Sequence, residues 1–348
     1  MYPVLQEVKK QNPEFYRELI GDLLYSRPCS QESYLYMRHL YVATAGQFNK
    51  EVAQLYSLFN PKTILPPKAR LLLDDATLYK NHPIAVGLSS LYSDGIYQFP
   101  KALNSEKLLN IRNSIFKTPI INPSSNELIM PQELLTQQNH QQLTYQVNVQ
   151  ELLHCHEVQE LLLDESILFL VQEYLGCTPV FCSVLAWFSF PGSDSNPSSY
   201  HQALSRAAQQ FHFDMDQIRF VKVFLYLSDV TENNGPFVYA IGSHDHKMNN
   251  FRDVRYEDSE IINFYGSHNL KEVVGSAGTI FAADTCGFHK GTPLQSGYRL
   301  VLQMVYGVSL FGAEQQHSKI PISQYGFNFA DQIKSRRRTF SGYFDIEC

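Results

Sequence analysis

The sequence predicts a mainly β protein with flanking helices: a closed or double-sheet β core of the jelly-roll type, preceded by an N-terminal helical region. Three observations carry that expectation. Apolar residues in the first 78 positions recur at helical steps, as Phe15, Leu19 and Leu23 do. Capped helical segments follow between residues 104 and 176. Beyond Gly176 come short runs rich in Val, Ile, Phe and Tyr, separated by Gly, Asn, Ser and Pro, which is the pattern of many short strands joined by turns.

In chain order, residues 1–78 read as an accessory helical region. Leu35, Met37, Leu40, Val52, Leu55 and Phe59 continue its periodicity to Pro61, and Pro66-Pro67 closes it. Residues 79–93 read as a connector, opening a core domain over 79–315. Residues 94–100 read as a strand, after which Asn104 or Ser105 caps a helix whose apolar face holds Leu108, Leu109, Ile111 and Ile115. The stretch 118–147, rich in Asn, Ser, Gln and Pro, reads as a polar surface loop or lid, which with Ser193 to Ser205 would cover the mouth of the β core. Asn148, with Glu151 three residues on, opens a helix toward Leu162, and Asp164 caps a second that Gly176 ends. Strands are expected over 181–190, 211–216, 219–228, 237–241, 279–283 and 299–308. The segment 316–348 reads as a C-terminal tail whose run Lys334-Ser335-Arg336-Arg337-Arg338 is a solvated charge cluster.

A net charge of -6 argues against a nucleic-acid surface spread over the chain. No basic segment followed by an apolar one opens the sequence, and no stretch nears the roughly 18 apolar residues of a membrane span, so a cytoplasmic protein with neither a nucleic-acid nor a membrane partner is expected. Oligomeric state is not legible. The six cysteines lack CxxC spacing and read as buried free thiols, Cys177 and Cys182 included.

The chemistry concentrates in His212-Phe213-Asp214 and the distant His289. Side chains two apart on a strand share a face, so His212 and Asp214 can reach one ion, with His289 as third ligand. Two imidazoles and one carboxylate on one side of an ion, the other side open, is the arrangement of non-haem Fe(II) oxygenases. Asp216 shares the face of Asp214 if the strand continues, and competes with it as a ligand. Arg299 opens a strand ten residues after His289, where a buried guanidinium requires an anion and its planar fork suits a carboxylate. Phe220, Lys222, Phe224 and Tyr226 alternate onto one face. If that face is interior, Lys222 and Tyr226 meet co-substrate or substrate; if exterior, Lys222 snorkels. Trp187, the one tryptophan, is either core or pocket lining. His154-Cys155-His156 is not a metal site, because residues two apart on a helix diverge.

His212-Phe213-Asp214, the run Arg219 to Val230, Asn234-Gly235-Pro236, Gly242-Ser243-His244 and Asp284 to Pro293 leading to Arg299, with Asp94-Gly95-Ile96-Tyr97 upstream, together resemble the phytanoyl-CoA dioxygenase (PhyH) family of Fe(II)/2-oxoglutarate-dependent oxygenases. The resemblance spans roughly residues 85 to 312. It implies a double-stranded β-helix (jelly-roll, cupin-like) core, iron held by His212, Asp214 and His289, and 2-oxoglutarate clamped by Arg299. It also implies that dioxygen converts 2-oxoglutarate to succinate and CO2 while a C–H bond of a small organic substrate is hydroxylated. A carboxylate ligand favours hydroxylation over halogenation. Family members often carry a small hydroxyl residue two after the distal histidine; here Gly291 stands there and Thr292 follows, so Thr292 and Lys222 are further candidates for holding 2-oxoglutarate, and Tyr226 and Trp187 for substrate. The alternative function is a non-catalytic binding or sensing protein on the same fold.

Overall fold

Helical periodicity at the start of the chain becomes four helices: α1 (Pro3–Gln11), α2 (Pro13–Tyr25), α3 (Gln31–Ala43) and α4 (Gln47–Phe59). The computed structural model describes residues 2–25, 27–64, 83–100, 103–121, 127–137, 140, 142–192, 197–312 and 319–347. Pro66-Pro67 and Ser193 lie outside them. Phe15, Leu19 and Leu23 are all buried on α2, and the Ser30 hydroxyl caps α3 by accepting from the Ser33 amide. These helices share one continuous core with the sheets. The Phe15 ring lies 5.7 Å from that of Phe311, Tyr41 lies 5.5 Å from Phe213, and Asn49 Nδ2 donates to the Ile218 carbonyl at 2.8 Å.

The expected connector contains a helix, α5 (Pro83–Ser93), which leads into β1 (Ile96–Gln98) and α6 (Ser105–Phe116), capped by the Asn104 side chain. Next come β2 (Ile120–Ile121), β3 (Leu128–Ile129), α7 (Pro131–Thr136) and β4 (Thr144–Gln146). The stretch 118–147 is therefore not a polar loop. Its polar majority hides an alternation, Leu143, Tyr145 and Val147, that is buried and carries β4 onto the edge of the main sheet. The helix expected from Asn148 to Leu162 is two, α8 (Val149–His154) and α9 (His156–Leu162), because Cys155 is extended with ψ 119°. His154 and His156 flank that break; the first ring lies 5.0 Å from Tyr325 and the second is exposed beside Glu160. α10 (Glu165–Leu175) is capped by Asp164 and ended by Gly176, whose φ of +81° only glycine adopts without strain.

The remaining elements of the core are β5 (Val180–Ser189), α11 (Pro197–Arg206), β6 (Phe220–Tyr226), β7 (Phe237–Ala240), α12 (Asp258–Tyr265), β8 (Leu270–Val273), β9 (Ile280–Ala283), β10 (His289–Gly291) and β11 (Arg299–Gly307). An antiparallel sheet of order β1-β9-β6-β11-β5-β4 faces a smaller one of order β10-β7-β8. Their inner faces meet through aromatic rings: Phe237 of β7 lies 5.2 Å from both Phe224 of β6 and Phe281 of β9. The expected strand over 211–216 is extended chain with two isolated bridges, Phe211 to Tyr256 and His212 to His289. More described residues lie in helices than in strands, so the fold is mixed helix and antiparallel sheet rather than mainly β.

After β11 the chain does not trail away as a tail. β12 (Ile320–Pro321), α13 (Phe327–Ser335), α14 (Arg337–Phe340) and β13 (Phe344–Asp345) fold against β5, with Phe340 and Tyr343 5.6 and 4.8 Å from the Phe181 ring. The arginine run stays at the surface in part, Arg336 pairing with Glu165 and Arg337 with Glu347, while the interleaved Phe329, Ile333, Phe340 and Phe344 are buried. Cys29, Cys155, Cys177, Cys182 and Cys286 are buried free thiols. Among the described residues no helix is long and apolar enough to cross a membrane.

One cation is sealed into this core. Lys247 Nζ donates to the carbonyls of Ser243 and Cys286, each at 2.6 Å, among the rings of Tyr41, Phe213, Phe251 and Phe288. Burial lowers its pKa to about 8 from the model-compound 10.5. With the folded value below the unfolded one, the unfolded chain binds the extra proton between them, so stability rises with pH across that window. The unfolding free energy of the wild type should therefore climb relative to that of Lys247→Met by up to about 1.4 kcal/mol per pH unit between pH 8 and 10. Denaturant titrations of both proteins across that range measure it; parallel curves would place the charge change elsewhere.

Candidate metal centre

His212 and His289, 77 positions apart in the sequence, are joined by a pair of backbone hydrogen bonds. The His212 amide donates to the His289 carbonyl at 3.0 Å and the His289 amide to the His212 carbonyl at 2.8 Å. Each imidazole then turns the same way. Nδ1 of His212 lies 2.9 Å from the Gln210 carbonyl and Nδ1 of His289 lies 2.9 Å from the Gly287 carbonyl. A carbonyl only accepts, so both Nδ1 atoms carry a hydrogen and both Nε2 atoms are the ones turned toward Asp214. The ring centroids are 4.3 Å apart.

Asp214 completes the cluster. Its amide donates to the Thr285 carbonyl at 2.8 Å, and its carboxylate oxygens stand 3.6 Å from His212 Nε2 and 3.3 Å from His289 Nε2. The three donor atoms lie within 4.8 Å of one another, a group able to hold one ion. Asp216 is outside it, and points instead at Lys222 Nζ, 2.9 Å away. Burial, and then the neighbouring His289, push the His212 imidazolium pKa down to about 3, so the ring is neutral. Burial alone would raise Asp214, but Lys222 and His289 hold its carboxyl well below the usual range. Burial would lower Lys222, and Asp214 and Asp216 more than reverse that.

The cluster lines a cavity of about 440 Å³ between the two sheets. At the cavity's other end stands Arg299, fully buried, with Nη1 donating to the Gly235 carbonyl and Nη2 3.4 Å from Ser189 Oγ. Its Nε has no partner, and no described carboxylate pairs with it. Burial lowers its pKa, the mark of a charge short of compensation. Gly291 is what lets it sit there, since a Cβ at that position would fall 2.8 Å from Nη2 and 3.0 Å from Nη1.

The other expected site residues divide. The β6 face carrying Lys222, Phe224 and Tyr226 is interior, and all three line the cavity, as Trp187 does. Lys222, however, donates to Asp214 at 2.7 Å and pairs with Asp216, at the metal end rather than beside Arg299. The Tyr226 hydroxyl is already committed: it donates to the Val273 carbonyl at 2.9 Å and accepts from the Phe237 amide at 3.1 Å, leaving only the ring to the cavity. Thr292 is not in the cavity lining. Its hydroxyl donates to the Pro236 carbonyl at 3.0 Å, because the position after Gly291 turns to the other side of the strand end. Ser189, Gln303 and Phe281 escaped the sequence reading; alternation from Trp187 to Ser189 along β5 was a signal for the first.

Thr144 and Gln146 of β4, Leu185 of β5, and Arg206, Ala207 and Ala208 at and just after the end of α11 also line it, so 118–147 supplies wall as well as surface. The N-terminal helices contribute no lining residue. They border a second cavity of about 340 Å³, where Arg219 stacks 4.8 Å from the Tyr174 ring and Asp284 accepts from the Tyr174 hydroxyl at 2.6 Å and the Cys286 amide at 3.0 Å.

Replacing Tyr226 by Phe should lower stability by about 1–3 kcal/mol, because the Val273 carbonyl and the Phe237 amide lose a buried partner. Chemical denaturation measures it, and an unchanged midpoint would show that the hydroxyl has no structural part.

A family model described as phytanoyl-CoA dioxygenase (PhyH) matches residues 92–299. Among solved structures, AviO1 from Streptomyces viridochromogenes Tue57 is 13% identical, with a TM-score of 0.43 over 69% of this chain and 98% of that one. HygX from Streptomyces hygroscopicus, with nickel, 2-oxoglutarate and hygromycin B bound, is 15% identical, with a TM-score of 0.44 over 66% and 90%. EctD from S. alaskensis with bound Fe is 15% identical, with a TM-score of 0.44 over 70% and 83%. No curated protein sequence matches the chain.

Proposed function

The chain belongs to the phytanoyl-CoA dioxygenase (PhyH) family, and on that premise we propose that it is an Fe(II)/2-oxoglutarate-dependent dioxygenase that hydroxylates a C–H bond of a small organic molecule. Its two facing sheets are, on this reading, the double-stranded β-helix of the family, with residues 1–78 as an accessory helical region. The observation that carries the reading is the pairing of two incomplete ends in one cavity. One end is a His-Asp-His donor set; the other is a buried guanidinium with an unpartnered Nε and no carboxylate beside it. A dicarboxylate that reaches both would satisfy them together.

His212, Asp214 and His289 would hold iron, which when bound supplies the activation of dioxygen that turns 2-oxoglutarate into succinate and CO2 and delivers the second oxygen atom to substrate. The residues of the chain do the rest. Arg299 grips the far carboxylate of 2-oxoglutarate, with Ser189 beside it. Phe224, Phe237, Phe281 and Val301 wall the interval between the two ends and keep water from it. Trp187, Thr144, Gln146 and Arg206 line the approach and would meet substrate.

Anaerobic addition of Fe(II) and then 2-oxoglutarate should produce a visible metal-to-ligand charge-transfer band, and admitting air should release succinate. Absence of both would sink the dioxygenase reading and leave a binding protein on the same fold. Asp214→Ala should lose iron binding. Arg299→Ala should keep it while raising the half-saturating 2-oxoglutarate concentration about tenfold or more, as loss of a charge-assisted pair requires.

A further inference from the structure

Lys222 stands with its ammonium between two aspartates of very similar reach. Nζ lies 2.7 Å from Asp214 Oδ2 and 2.9 Å from Asp216 Oδ2. The two aspartates are separated by one residue in extended chain, which sends their side chains to the same side, and an ammonium that touches both puts their oxygens within two hydrogen-bond lengths of each other. Only Asp214 belongs to the donor cluster. Among the described residues, Lys222 is the one ion-pair partner of Asp216.

The geometry points to Lys222 as the residue that keeps Asp216 off the metal, so that the site presents two imidazoles and one carboxylate rather than two of each. This rests on the reading of the cavity as an iron and 2-oxoglutarate site. The ammonium is anchored for the task. It rises from the middle of β6, whose neighbours are β9 on one side and β11 on the other, and its side chain is only 10% exposed, so it does not swing away into water. Asp216, by contrast, is one-third exposed and follows whichever charge attracts it. With the cation gone, the strongest remaining positive charge within its reach is the metal. A second carboxylate there would occupy one of the positions that a chelating 2-oxo acid and dioxygen need, and would cancel the charge that draws a dianion to the site. Lys222 thus acts as a positioning residue through Asp216, a role that contact with 2-oxoglutarate itself would not explain.

The test uses Mn(II), which binds such sites without reacting, and counts the water molecules on it from the broadening of its electron paramagnetic resonance lines in oxygen-17 water. The wild type should hold Mn(II) with three waters, two of which 2-oxoglutarate displaces. Lys222→Met should bind Mn(II) with one water fewer, and its Mn(II)-loaded form should bind 2-oxoglutarate about tenfold or more weakly by calorimetry. The double variant Lys222→Met/Asp216→Asn should regain the third water, and Lys222→Arg, which keeps the cation, should never lose it. Lys222→Met with the full three waters, a double variant that stays one short, or loss of Mn(II) binding in Lys222→Met would each overturn the inference. If the wild type itself fails to bind Mn(II), or binds it without 2-oxoglutarate displacing water, the functional reading falls instead.

Discussion

The two backbone hydrogen bonds between His212 and His289 make one site out of two distant pieces of chain. They fix the distance between the segments and therefore between the rings, while the carbonyls of Gln210 and Gly287 fix which nitrogen each ring presents. The rest of the molecule holds those two segments still. Asp284, five residues before His289, is tied by its side chain to Tyr174 of α10 and by its backbone to Tyr239 of β7, and the Tyr41 hydroxyl of α3 reaches the Cys286 carbonyl at 3.3 Å. The helical region bears on the site in this way: it braces the backbone that carries His289, without lining the cavity.

Two buried cations give the cavity its polarity, and their surroundings differ in kind. Lys222 is compensated by carboxylates and is a settled part of the structure. Arg299 is surrounded by a carbonyl, a hydroxyl and aromatic walls, which orient a guanidinium without neutralising it. The energetic consequence is an end of the cavity that attracts an anion and another, with one ammonium to two carboxylates, whose surplus negative charge suits a cation.

Much of this was legible because strands write their orientation into the sequence at every second residue. The spans of β5, β6, β7, β9 and β11 follow from alternating Val, Phe and Tyr, and the same alternation put Lys222, Phe224 and Tyr226 on the inner face. The cluster of His212, Asp214 and His289 and the burial of Arg299 were legible through their spacing. What misled was composition. The polar residues of 118–147 outnumber the Leu143, Tyr145 and Val147 that decide its fate, and the arginines that open α14 draw attention from Phe340 and Phe344. Thr292 looked close to the site because it is near His289 in sequence, yet a single step along an extended chain reverses the direction of a side chain. The split at Cys155 and the double grip of Lys222 on two aspartates depend on tertiary contacts that no local pattern encodes.

The cavity lining also has a chemical quality apart from shape and charge. Among the described residues that line it there is neither cysteine nor methionine, the side chains that oxidants attack most readily. The two sulfur residues nearest the His-Asp-His cluster in sequence are turned elsewhere. Met215 lies between Asp214 and Asp216, and the alternation that brings the aspartates inward sends its thioether outward, 3.3 Å from Asn49 Nδ2. Cys286, three residues before His289, borders the second cavity. An oxygenase that misfires without substrate damages its own walls first, and here those walls hold no sulfur, so the arrangement that turns His212, Asp214 and His289 inward also keeps the most readily oxidised side chains out of reach, leaving the Trp187 and Tyr226 rings as the targets that face the cavity.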